Sequence, residues 1–195
     1  MVATTGLPAP QITRPRSLMV GTMFACAAAL MFFFSVVGIY VHERAAARDA
    51  GDGWFPEGVI ELGPSGFIFW TLILSIFTIQ WAVQAINADD RINAYVALAL
   101  TGLFGAAIFN QLWFIINDTG FALAANNAQF LFFVVNGTFI VLLTVAVVFV
   151  AFTFIRAMAG QFGPRRAEAV SSAALFWNTV VFMWAIVYYL IYIAK

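Results

Sequence analysis

Few side chains in this 195-residue chain could ligate a metal or carry acid–base or nucleophilic chemistry: one histidine (His42), one cysteine (Cys26), nine acidic and nine basic residues. A zinc or haem centre needs two to four nitrogen, sulfur or oxygen donors converging on one point. Cys26 lies inside an apolar run with no histidine near it in that run, so it reads as a packing residue and can form no intrachain disulfide. His42 stands where the first apolar run ends and reads as an interfacial residue, with contact to a partner's loop as the alternative. No histidine cluster and no paired carboxylate falls within an apolar run. The expectation is therefore a chain with no catalytic residue, no metal site and no cofactor of its own.

What remains inside the apolar runs is a set of amides: Gln80 and Gln84, then Asn110 and Gln111, then Asn136, then Asn178. In hydrocarbon an amide must find a partner, and interhelical bonds of this kind contribute about 0.6–2 kcal/mol. Helix-to-helix bonding is the reading of all of them, and a polar pocket lined by Asn136 and Asn178 is the functional alternative. Trp54 and Phe55, followed by Pro56, are candidates for an interfacial foot or a partner-docking feature. Trp113, Trp177 and Trp184 lie deeper, where large rings fill packing gaps or touch lipid or a partner. The strip Gly102, Gly105, Ala106 and Ala107 lets a helix approach closely, either from this chain or from another.

The elements that carry these residues follow from composition. The chain is 64% apolar and 9% charged, with a mean hydropathy of +0.96, against roughly 25% charged residues in soluble domains. Its solvent must be lipid. Crossing a hydrocarbon core of about 30 Å takes about 20 helical residues, and apolar runs of that length fall at 18–41, 65–87, 93–116, 127–155 and 170–194. The expected fold is all-α: a polytopic membrane protein with a five-transmembrane-helix bundle over 18–195, preceded by a mobile tail over 1–17. The tail holds three prolines and two arginines and lacks the apolar core of a signal peptide.

Basic residues distribute unevenly between the two sides. Arg14, Arg16, Arg91, Arg156, Arg165 and Arg166 fall on the N-terminal side, against Arg44, Arg48 and Lys195 on the other. By the positive-inside rule the N-terminus is expected in the cytoplasm and the C-terminus on the outer side of a cell inner (plasma) membrane. All eighteen charges can be placed in the tail, the loops or the helix ends. Pumps and ion-coupled transporters keep ionisable groups within the bilayer, so a small-molecule transporter or channel is disfavoured.

Over nearly all of 18–195 the chain resembles subunit III of the haem-copper (cytochrome c) oxidases, in a divergent five-helix form. AALMFFFSVVGIY keeps Leu30, Met31, Phe32 and Phe33 of the family's first helix in this region, and FWNTVVFMWAIVYYLIYIAK keeps Trp177, Val180, Trp184, Ile191 and Tyr192 of the last. TGLFGAAIFNQLWFIINDTG and VVNGTFIV fall at the family's third and fourth helices, the latter retaining Gly137. The ionisable positions depart from the pattern. The first- and third-helix glutamates become Ala29 and Leu112, the two fourth-helix histidines Asn136 and Phe139, and the last-helix histidine and aspartate Asn178 and Val181. The resemblance implies a non-catalytic accessory subunit that packs on the catalytic subunit of a respiratory complex and holds phospholipid, with haem and copper in that partner. A nitric oxide reductase or another membrane oxidoreductase is the alternative partner.

Overall fold

A computed structural model describes residues 16–51, 53–56, 60–123, 125–163 and 167–194, and the expectation of a mobile tail falls almost wholly outside them. The described chain is helical: α1 (Ser17–Asp49), α2 (Leu62–Asn87), α3 (Arg91–Asp118), α4 (Asn127–Met158) and α5 (Glu168–Val187), the last continuing as a π-helical turn over Tyr188–Ile193. All five are long and apolar enough to cross a membrane.

Helix starts and stops have local causes. The Asp90 carboxylate accepts the Asn93 backbone N–H at 3.1 Å, and the Asn126 side chain accepts that of Gln129 at 2.8 Å, capping α3 and α4. At the other ends, α1, α3 and α4 are closed by Gly51, Gly120 and Gly160, each two residues past the last helical position with φ of +79°, +62° and +70°. Only glycine enters that left-handed region without steric cost. The same position after α2 is occupied by Asp89 at φ +58°, which turns the chain directly into α3.

Two boundaries differ from the apolar runs. α1 continues about two turns beyond residue 41, because HERAAARD is rich in alanine, arginine and glutamate and meets no breaker before Gly51. α2 begins at Leu62, three residues early, since Pro64 lies in its first turn, where a proline ring is tolerated.

The helices close into a ring in the order α1, α5, α2, α3, α4, and α5 also packs across the ring on α4. α5 is accordingly the most enclosed helix, with half of its apolar window buried. Trp177, Trp184, Phe132, Phe139, Phe33 and Tyr40 fill the centre, all 1% exposed or less. In lipid no hydrophobic force drives helices together, so this close packing and a few interhelical hydrogen bonds hold the ring. Phe24, Met31, Phe67, Trp70, Phe77, Trp113 and Phe152 point outward instead, as a lipid-facing surface demands.

Candidate functional site

The bundle interior is where a subunit of this architecture could do chemistry, and its polar groups divide into two sets. The first is paired. The Trp177 indole N–H, buried on α5, donates to the Ser75 hydroxyl of α2 at 2.8 Å, and Thr78 of α2 meets Thr101 of α3 at 2.8 Å. Ser75, Thr101 and Thr153 also bond back to carbonyls of their own helices, which removes the cost of burying a hydroxyl. These contacts tie α2 to α3 and α5.

Gly105 makes the Trp177 position possible. A Cβ there would lie 2.6 Å from Val147 Cγ2 of α4 and 3.0 Å from Trp177 Cη2, well inside the 3.5–4.0 Å of a carbon–carbon contact. The small residue therefore admits an indole between α3, α4 and α5. The strip's partner at Gly105 is a set of helices of this same chain, whereas Ala106 and Ala107 face outward.

The second set carries atoms that find no partner among the described residues. Asn136 is fully buried: its amide nitrogen donates to the Phe132 carbonyl at 2.9 Å, and its oxygen has no partner. The Asn178 amide oxygen, the Trp184 indole N–H and the Tyr192 hydroxyl are likewise buried and unmatched. The Trp184 ring packs 4.8 Å from that of Phe139 and 6.0 Å from that of Tyr192. Asn178 is half-buried on α5. Among the described residues no hydrogen bond joins Asn136 to Asn178.

The other sequence candidates are placed as follows. Asn110, Gln80 and Gln84 are exposed on the outside of the bundle, and Gln111 is half-buried. Asn110, Gln80 and Gln84 thus do not bond between helices of this chain, because their positions fall on the faces of α2 and α3 that point away from the ring. Trp113 is 63% exposed and free to meet lipid or another chain. Trp177 and Trp184 are not: at 1% and 0% exposure they fill the core and cannot touch either. Trp54 and Phe55 also turn inward rather than forming a projecting foot. The Trp54 N–H donates to the Tyr40 hydroxyl at 3.1 Å, and Phe55 stacks on Phe121 with ring centroids 5.7 Å apart while meeting Phe132 edge-on. The indole N–H finds its acceptor in the phenol oxygen here, at the end of the bundle opposite the N-terminus.

Two polar contacts at the helix ends lie outside the sequence reading. Met19, at the start of α1, donates its backbone N–H to the Glu168 carboxylate at 2.9 Å, supplying an acceptor to an orphan donor of that helix. Arg44 donates to the carbonyls of Leu190, at 3.1 Å, and Ala194. Those carbonyls lie in and just past the π-helical turn that ends α5, where the helix dipole favours a cation. Sequence spacing could not have revealed either bond, since the partners are about 150 residues apart.

The donors of the described residues do not converge as a metal or haem centre would need. Among the described residues no three His, Cys, Asp or Glu side chains come together. Cys26 is buried and His42 exposed on the same helix; their separation of 16 residues is about 24 Å along it, too far for one centre.

Residues 6–195 match the family described as cytochrome c oxidase subunit III. The chain belongs to that family. Among its relatives, a probable cytochrome c oxidase subunit 3 of Mycobacterium leprae is 25% identical over 94% of this chain and 91% of its own length. One from Nocardia farcinica is 24% identical, with both chains covered completely. The sea urchin Strongylocentrotus purpuratus has a cytochrome c oxidase subunit 3 that is 27% identical over 83% of this chain, which spans 64% of that longer relative. The subunit III resemblance is thus borne out over residues 6–195. The positions read as departures from the family's ionisable residues include Leu112, Phe139 and Val181, all buried, with Ala29 packed against the core.

Proposed function

We propose that this chain is a non-catalytic accessory subunit of a respiratory haem-copper oxidase, packing on the catalytic subunit, steadying it during turnover and holding phospholipid against it. The observation that carries this reading is the family match over residues 6–195, on a bundle whose centre is built of aromatic rings and short hydroxyl or amide side chains. Haem and copper belong in this reading to the partner, and electron transfer and oxygen reduction take place there. The exposed aromatic and aliphatic belt of α1, α2 and α3 supports contacts with acyl chains and with neighbouring subunits. The membrane is the cell inner (plasma) membrane, with the N-terminus on the cytoplasmic side, which the excess of arginine on that side supports.

The test is the oxidase prepared with and without this chain. The expected result is similar initial turnover in both, followed by faster loss of activity in the depleted enzyme and recovery when the chain is restored. Equal decay in the two preparations would defeat the proposal.

A further inference from the structure

A polar side chain on the outside of a membrane helix must find its hydrogen bonds somewhere, because acyl chains offer none. Most of those on this bundle find them in their own helix. The exposed hydroxyls of Ser35 on α1 and Thr144 on α4 donate to the carbonyls of Met31 and Ile140, and the exposed Asn117 amide donates to the Trp113 carbonyl. Asn110 does not. It is exposed on α3, and among the described residues no hydrogen bond reaches its side chain. Its place in the sequence is six residues short of Ile116, the last apolar residue of that run, which sets it about 9 Å inside the apolar stretch. Gln80 and Gln84, the other exposed amides, lie within two turns of the end of α2, in reach of headgroups. The Asn110 amide is short and has no such escape.

The surroundings of Asn110 suit a helix better than lipid. Leu103, Ala107, Asn110, Phe114 and Asn117 are all exposed and recur at alternating steps of four and three residues, the spacing of a helix-packing seam. Ala106 and Ala107 stand one turn from the amide and are small enough to admit a neighbouring backbone. The outward face of α4 is of another kind: Val141, Val145, Val148, Phe152 and Ile155 are exposed there, and its one exposed hydroxyl, Thr144, is already bonded to its own helix. That face suits acyl chains.

We propose that the outward face of α3 around Asn110 is where this chain docks a transmembrane helix of its haem-bearing partner enzyme, and that this helix presents an amide or hydroxyl side chain to Asn110 at the same depth. The inference rests on the reading of the chain as an oxidase subunit and adds the contact face and its polar anchor. An amide both donates and accepts, so either side-chain type completes the bond, and one such bond in hydrocarbon fixes the register of two helices.

The experiment puts the photo-crosslinker p-benzoylphenylalanine in place of Ala107 or of Val148 in the full chain, with irradiation of native membranes, tagged purification in mild detergent, haem absorbance and mass spectrometry of the products. The probe at position 107 should join a subunit of the haem-bearing enzyme, and the probe at position 148 should not. At the detergent concentration that leaves half of the wild-type complex intact, Asn110→Leu should lower the ratio of bound to free chain about three- to twentyfold, and Asn110→Gln should keep most of it. The isolated Asn110→Leu chain should melt no lower than wild type, since the amide has no bond within the chain. Crosslinks from position 107 to a second copy of this chain alone, crosslinks from position 148 alone, an unchanged ratio in Asn110→Leu, or a lower melting temperature of that isolated variant would each overturn the docking face while haem in the wild-type preparation leaves the oxidase reading intact. A wild-type preparation without haem would overturn both.

Discussion

Gly105 is where one added methyl group should be felt across three helices. In Gly105→Ala the new Cβ stands 2.6 Å from Val147 Cγ2 and 3.0 Å from the Trp177 ring, so one neighbour must move. Val147 has little freedom, because a β-branched residue in a helix keeps essentially one χ1 rotamer. Trp177 is 1% exposed, and moving it strains the 2.8 Å bond from its N–H to Ser75. Overpacking of this kind costs about 1–3 kcal/mol, and losing a buried hydrogen bond adds about 1 kcal/mol. Against this, replacing glycine by alanine inside a helix returns about 1 kcal/mol. The net destabilisation is therefore about 1–3 kcal/mol, roughly a fivefold to hundredfold change in the folded-to-unfolded ratio. Reversible unfolding in mixed micelles, followed by tryptophan emission, measures it. Adding Val147→Ala opens the space that the new methyl group needs, so the double variant should recover part of the loss relative to the sum of the single changes. A Gly105→Ala chain as stable as wild type, or strictly additive losses in the double variant, would refute the argument.

Three further outcomes follow from the helix ends. Asp89→Gly should stabilise the chain by about 1 kcal/mol, the usual cost of a left-handed backbone at a residue with a Cβ, since the 3.9 Å ion pair to Arg91 that it gives up is well exposed; denaturant titration reads this. Arg44→Ala should cost about 1–2 kcal/mol and speed amide exchange over 190–194, while Arg44→Lys restores only part of it because a point charge cannot fork between two carbonyls. At the start of α3 the side-chain and backbone bonds from Asn93 hold the Asp90 carboxyl below the usual carboxylate range. Because that value is depressed on folding, its contribution is complete above the unfolded carboxylate's pKa and is lost as pH falls through the lower folded value. Asp90→Asn should keep a cap and remove this acid-side dependence in a stability profile from neutral to low pH.

How much could be read from residues alone depends on the kind of interaction. The five spans were legible because lipid demands long apolar runs, and the family was legible because the resemblance runs over nearly the whole chain, as the match over residues 6–195 shows. Facing was less legible. The helices are apolar on every side, so nothing in the period distinguishes Trp113, which points outward, from Trp177 and Trp184, which fill the core. The same holds for the amides: Asn136 is interior and Asn110 exterior, although both are short polar residues deep within apolar runs. The bonds from Arg44 and to Glu168 join the ends of the chain and depend on the ring order of helices, which composition does not encode. The π-helical turn at Tyr188–Ile193 likewise has no signature in a run of tyrosine and isoleucine.

The central claim is that this chain serves a haem-bearing membrane oxidase without carrying the haem itself. The most direct measurement is a reduced-minus-oxidised visible spectrum of the complex recovered through a tag on this chain in mild detergent, repeated on the chain after its partners are stripped away. The account predicts stoichiometric haem absorbance in the complex and none in the isolated chain. Haem that stays with the stripped chain, or other subunits attached without any haem, would contradict it.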